Sequence, residues 1–269
     1  GELASQSEII VICTPHFTYQ DIIEEISEHL NENTLITDSG STKEKVTEEV
    51  IAKLHDKSKF IPSHPIAGKE TSGIENAEHD LFRFKRAIIT PTRFNTEEDL
   101  QEVSKLWKEV GSNVEYINIK EHDIIYAYVS HYPQYLSFKL KEFFLPNEEE
   151  SLTEFTRLMN SPAQLWEDIF NYNRENFEFI KNKFIAKFAD LIEHEKIEEH
   201  QVTPLEELAV LIAYFYQSIV PREYRKYDGA GFKSFTDPIK LNRNFDVNRI
   251  SLETKKLAGA LIEKLNQDI

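Results

Sequence analysis

Glu8-Ile9-Ile10-Val11-Ile12-Cys13 is an unbroken apolar run, closed by Thr14-Pro15-His16. A strand with one wet face alternates apolar and polar side chains. A continuous run is expected where a parallel sheet is covered on both faces. Working outward, Thr18 is placed to cap a helix with Asp21 in its first turn and Ile22, Ile23, Ile26 and Leu30 at helical spacing. Thr34-Leu35-Ile36-Thr37 reads as the next strand and runs into Asp38-Ser39-Gly40-Ser41-Thr42-Lys43. Val46, Val50, Ile51 and Leu54 then give the following helix one apolar face. Lys59-Phe60-Ile61, residues 86–90 and residues 114–119 supply further strands. Before the last, Thr96 caps a helix carrying Leu100, Val103, Trp107 and Val110, with Gly111 in the C-terminal glycine position. Strands alternating with helices predict an α/β layered domain with a largely parallel sheet over residues 1–119.

From residue 120 the pattern changes to helix after helix, predicting an all-helical second domain over 120–269. Ser161-Pro162 opens a long helix whose stripe includes Trp166, Ile169, Phe170, Phe177, Ile180, Phe184 and Phe188. Thr203-Pro204-Leu205-Glu206 combines a cap, a first-turn proline and a capping-box glutamate, and Leu208, Ile212, Phe215 and Ile219 continue that helix. Ser251 begins the last helix, with Leu257, Leu261 and Leu265 at four-residue steps. The aromatic stripes suit either this domain's own core or a helical homodimer interface. Residues 221–249 carry seven Lys/Arg against four Asp/Glu and read as a solvated connection. Gly229-Ala230-Gly231 within them follows no strand, so it fails the context test for a dinucleotide loop.

A formal charge of −16 argues against nucleic acid and against acidic membranes as partners. The single cysteine, Cys13, forms no internal disulfide, which fits a reducing compartment. No apolar run approaches the ~20 residues of a membrane span. The expectation is a cytoplasmic protein.

The chemistry-bearing stretch is His64-Pro65-Ile66-Ala67-Gly68-Lys69-Glu70-Thr71-Ser72-Gly73, at a strand's end. Pro65 restrains His64 to an extended backbone and fixes the direction in which its ring leaves the chain. An imidazole there suits proton transfer near neutral pH; the plainer alternative is a turn whose histidine only bonds its neighbours. At the strand-to-helix turn 38–43, backbone N–H groups favour anions, and Ser41 and Lys43 add donors. Glu121-His122-Asp123, Val129-Ser130-His131-Tyr132-Pro133-Gln134 and Leu152-Thr153-Glu154-Phe155-Thr156-Arg157 complete the set, with Trp166 to Phe170 and Asn173 following.

In this order, the stretches ICTP, DSGSTK, HPIAGKETSG with Asp80-Leu81-Phe82, HD…VSHYPQ and FTRLMNSPAQLWEDIF resemble the prephenate/arogenate dehydrogenase family over residues 8 to 173. The resemblance implies a Rossmann-like, doubly wound domain followed by a helical one, and oxidative decarboxylation of prephenate or arogenate with NAD or NADP on the route to tyrosine. It makes His64 the catalytic histidine and Ser41 the serine that holds the same hydroxyl. Arg157 becomes the carboxylate clamp, a task suited to a planar two-pronged donor. Lys43 falls in the anion-binding turn, His131 and Gln134 in the substrate-binding SHYPQ motif, and Thr14 and Pro15 beside the nicotinamide. Gln134 departs from the second histidine of many members: it donates a hydrogen bond but carries no charge. No Gly-x-Gly-x-x-Gly turn occurs among the eight glycines. About two βα units, at ~30 residues each, are expected upstream, with the residue that separates NAD from NADP among them. A fragment of a longer protein is the favoured explanation. The other is a non-catalytic, prephenate-binding or regulatory paralogue that has lost its cofactor half.

Overall fold

The computed structural model describes residues 1–68, 74–143, 158–194, 196–197, 203–236 and 249–267. The chain divides into two compact units, 1–126 with 163–173, and 127–162 with 174–269. Helices follow one another from Ile119, after β6 ends at Tyr116, while the division between the compact units falls after Tyr126, and helix 163–172, expected in the second domain, belongs to the first unit.

Unit 1 runs β1 (Ile9–Ile12), α1 (Tyr19–Ile26), β2 (Leu35–Asp38), α2 (Glu44–Lys53), β3 (Phe60–Ile61), β4 (Ser63–Pro65), β5 (Arg86–Ile89), α3 (Glu97–Glu109), β6 (Asn113–Tyr116) and α4 (Ile119–Tyr126). Strands β1, β2 and β3 pair in parallel, with Ile10 opposite Ile36 and Ile36 opposite Phe60. Pro62, which has no N–H to donate, separates β3 from β4. The chain then pairs with β5 on its other side, antiparallel, with His64 opposite Ile88. β5 and β6 are parallel again. One face of this sheet is filled by Ile12, Tyr19, Ile23, Ile36, Val46, Val50 and Phe60, from the strands, α1 and α2. The other is filled by Leu35, Ile61, Ala87, Ile89, Val103 and Trp107, with α3. Strands β2 and β3 are buried on both faces, a doubly wound α/β arrangement, but β1 departs from the expectation for its apolar run: Ile12 is buried, Ile9 and Ile10 are half-buried and Val11 is 37% exposed, as befits the outer strand of its sheet.

Local signals were met in part. Thr96 and Asp99 close a capping box at α3. Gly111 then turns with φ 89°, a backbone conformation that side chains rarely adopt, and an added Cβ would stand 3.2 Å from the Arg83 Cα. Thr18 precedes α1 but does not cap it; its hydroxyl donates to the Pro15 carbonyl.

Unit 2 contains a π-helical turn (Ala127–His131), α5 (Tyr132–Lys141), α7 (Arg174–His194), α8 (Pro204–Ile219), α9 (Ala230–Thr236) and α10 (Leu252–Gln267); α6 (Ala163–Tyr172) is the helix held by unit 1. The single long helix expected after Pro162 is two helices, parted at Asn173. Its apolar stripe is shared out accordingly: Ile169 is buried in unit 1, and Phe177, Ile180, Phe184 and Phe188 in unit 2. In unit 2, Phe184 stacks on Phe188 and meets Phe215, while Tyr132 stacks on Tyr216. These rings form the unit's own core. The capping box of α8 is present, Thr203 with Glu206. Within the expected solvated connection, α9 instead buries Phe232 and Phe235. Buried Glu207 accepts from the N–H and hydroxyl of Ser251 and from Thr254, fixing the start of α10 on α8. Among the described residues, no helix is long and apolar enough to cross a membrane, and no group of three or more His, Cys, Asp or Glu is arranged to hold a metal ion.

Candidate active site

In unit 1 the parallel strands β1, β2 and β3 end on the same side, and open α/β sheets bind ligands outside those carboxyl ends. Thr14 and Pro15 stand exposed after β1. The turn after β2 lies against them, the Ser39 N–H donating to the Ile12 carbonyl at 3.1 Å. Ser41 is half-buried in that turn. His64, 8% exposed, follows β3.

The floor of this edge is polar and closed. Asp38, wholly buried, accepts from the backbone N–H of Gly40 at 2.9 Å and of Ser63 at 3.0 Å, and from the Tyr19 hydroxyl at 3.2 Å. The ammonium of Lys43 pairs with the same carboxylate and donates to the Ser63 carbonyl at 2.7 Å. Lys43 has no exposed surface, and burial lowers its pKa against the pull of Asp38. An ammonium so enclosed holds the turn together and does not face a ligand, which differs from the expectation of an anion-binding donor. The Ser63 hydroxyl is held by Asp38, Thr37 and Trp107 at 2.6 to 2.9 Å. His64 therefore leaves a braced strand.

Its ring is braced as well. His64 Nδ1 lies 2.9 Å from His122 Nε2, and His122 Nδ1 lies 2.8 Å from Asp123 Oδ1. Asp123 accepts the first N–H groups of α2: Lys43 N to Oδ1 and Glu44 N to Oδ2, each 2.8 Å. Tyr126 packs edge-on to His64, ring centres 4.8 Å apart. The Asn173 side chain donates to the Asp123 carbonyl at 2.7 Å, so the end of α6 braces α4. Burial holds His122 below the ordinary histidine pKa. Burial pushes the Asp123 carboxyl the other way, but the bonds from His122, Glu44 and Lys43 outweigh it and keep the group ionised.

A free histidine titrates near about 6.5. As pH falls through that value, the unfolded chain takes up a proton at His122 that the folded chain refuses, so stability falls. The Asp123 contribution is present above the unfolded carboxylate value, about 3.9, and is lost only at lower pH. Chemical denaturation is expected to show a lower midpoint at pH 5.5 than at pH 7.5, with a smaller drop in a His122→Gln variant.

Gly40 marks the tightest point. A Cβ there would meet His16 Nε2 at 2.1 Å and Asp38 Oδ2 at 2.8 Å. The His16 ring cannot easily yield, being buried between Tyr19 and Tyr172 at centroid distances of 5.4 and 5.2 Å. Gly40→Ala is expected to cost about 1–3 kcal/mol by overpacking, read as a lowered thermal midpoint.

The other expected residues are distributed differently. His131 is wholly buried in the π-helical turn of unit 2. Gln134, 2% exposed in α5, donates to the Leu158 carbonyl, again within unit 2. Arg157 lies outside the described residues, as do residues 69–73 of the histidine stretch. The structure thus brings together His64 and Lys43 through Ser63 and Asp38. It adds His122 and Asp123, which stand as a His-Asp pair at a helix start but whose link to His64 spans 58 residues.

Parallel strands layered with helices, a braced histidine at their carboxyl edge and a helical second unit define a doubly wound α/β protein of the nucleotide-binding type. A family model described as "Prephenate dehydrogenase, nucleotide-binding domain" matches residues 2–116, and one described as "Prephenate dehydrogenase, dimerization domain" matches residues 118–211. The chain belongs to the prephenate dehydrogenase family. It is 24% identical over 197 residues to the cyclohexadienyl dehydrogenase of Zymomonas mobilis and 26% identical over 211 residues to the prephenate dehydrogenase of Bacillus subtilis. Those matches cover 69% and 72% of this chain but 67% and 56% of the relatives' own lengths. The crystal structure of the prephenate dehydrogenase from A. aeolicus, in complex with hydroxyphenyl propionate and NAD+, is similar with a TM-score of 0.63 and 31% identity, over 69% of this chain and 68% of that one.

Proposed function

We propose that the protein, in its whole form, oxidatively decarboxylates prephenate or arogenate, with His64 as the proton acceptor. The observation that carries this reading is the buried imidazole at the carboxyl edge of the sheet, anchored through one nitrogen to His122 at 2.9 Å. The exposed residues Thr14 and Pro15, packed beside the turn 39–41, fit one wall of a dinucleotide site. NAD or NADP bound there supplies the hydride acceptor. The substrate's ring carbon carries a hydroxyl and gives up its hydride with the bonding pair. His64 takes the hydroxyl proton, and the O–H pair becomes part of the new C=O. The carbon–carboxylate bond then breaks and CO2 leaves; its electrons enter the ring as the C=O π pair moves onto oxygen, and the phenolate so formed takes up a proton to give the aromatic phenol. Ser41, half-buried in the turn after β2, holds the hydroxyl in register with the imidazole. By the family resemblance Arg157 is assigned to a substrate carboxylate, and Gln134 and His131 to the substrate-binding motif. Lys43 serves from behind by holding Asp38 and the turn. The homodimer follows the family description of the second domain.

The test is production of reduced nicotinamide by the intact protein with prephenate and arogenate in turn, each with NAD+ and NADP+. Turnover with either precursor supports the reading. Binding of prephenate by calorimetry without any turnover instead supports the non-catalytic paralogue, and no response to either precursor removes both.

A further inference from the structure

We propose that His122 and Asp123 are positioning residues that fix the tautomer of His64, leaving Nε2 as its proton-accepting nitrogen. This deepens the functional reading above and rests on it for its kinetic consequence. Four hydrogen bonds fix the setting. Asp123 already accepts two backbone N–H groups at 2.8 Å and is an acceptor only, so the nitrogen 2.8 Å from it, His122 Nδ1, carries a proton. His122 has no exposed surface, and burial favours its neutral ring. A neutral imidazole protonated at Nδ1 has its lone pair at Nε2. That lone pair faces His64 Nδ1 at 2.9 Å, so His64 Nδ1 donates. A neutral His64 then keeps its own lone pair at Nε2, the nitrogen that a base needs.

An isolated histidine exchanges tautomers freely, and half of the chemistry is lost if the wrong nitrogen holds the proton. Here the setting is imposed by a carboxylate two rings away. The arrangement also lets His64 carry charge: once it has accepted a proton, its Nδ1–H still donates to His122 Nε2. The charged groups that surround the pair are Asp123 on α4, Lys43 and Asp38 at the turn before α2, and Arg86 on β5, which interacts with Tyr126. Opposite signs are paired among them, Lys43 with Asp38 in particular.

The experiment compares His122→Phe with His122→Gln in the intact protein. Phenylalanine fills the space but accepts no hydrogen bond; glutamine places an amide oxygen near the lost Nε2. His122→Phe is expected to lower kcat about 10²-fold, the size of a general-base contribution, with KM within threefold. The acid limb of its kcat profile should move to lower pH, because the imidazolium of His64 has lost its acceptor. His122→Gln should restore most of kcat and return the limb towards its original position. Equal losses in both variants with an unmoved limb would assign His122 a packing role and overturn the proposal.

A second measurement does not depend on the variants folding or on activity. Nitrogen-15 NMR of the unmodified protein at pH 8 should show His64 and His122 both protonated at Nδ1. That pattern in a protein without turnover would keep the relay and remove the functional reading. A proton on His64 Nε2 in an active protein would do the reverse.

Discussion

Replacing His64 with asparagine is expected to lower kcat for the preferred precursor about 10³-fold, within the 10²–10⁴ range of general acid–base contributions. The asparagine amide can still donate towards His122 Nε2, as His64 Nδ1 does across 2.9 Å. The strand beneath it is unchanged, since Ser63 is fixed by Asp38, Thr37 and Trp107 independently of the ring. On the proposed mechanism, only the group that takes the hydroxyl proton is missing. Binding is therefore retained, KM moves by a few fold at most, and the loss is confined to the transition state. Steady-state kinetics with prephenate and arogenate check this. A kcat within tenfold of the unmodified protein would place the proton acceptor elsewhere.

The second large effect is on stability. Lys43→Met is expected to cost about 3–5 kcal/mol, because removing one partner of a buried pair leaves the other charge uncompensated. Asp38 would keep its bonds from Gly40, Ser63 and Tyr19 but lose the ammonium, and the Ser63 carbonyl would lose its donor. The thermal midpoint should fall by on the order of 10 °C, and the double variant Asp38→Asn with Lys43→Met should recover much of it. Differential scanning calorimetry reads the outcome. A raised KM with an unchanged midpoint would instead mean that Lys43 meets the substrate.

How far the sequence reveals this protein depends on whether the deciding contact is local. Strand Leu35–Asp38 is buried throughout, but the wholly apolar run Ile9–Ile12 leaves Val11 exposed, because an unbroken apolar run does not tell an inner strand from an outer one. The caps at Thr96 and Thr203 are written within four residues and were readable. The break at Asn173 was not: apolar residues keep helical spacing straight through it, and the division comes from which unit each helix packs with. α9 escaped notice because seven residues are too few to establish a period. At the site, His64 is marked by its strand-end position and by Pro65. Lys43 misleads, since a lysine in a polar turn looks solvated until its neighbour Asp38 is seen to be buried with it. His122 and Asp123 stand out in the sequence as an adjacent His-Asp pair, but their partner does not: the contact with His64 spans 58 residues and arises only when α4 is laid against β4.

Asp123 receives the opening amides of α2 and the His122 ring on one carboxylate. If His64 is the proton acceptor proposed above, local order and basicity are a single variable in this protein. If the first turn of α2 frays, the carboxylate loses the dipoles that hold it and the ring pair loses its reference, so catalytic competence would disappear while the sheet behind it stayed intact. A small molecule that merely tightened that turn would, by the same coupling, sharpen the base without touching it.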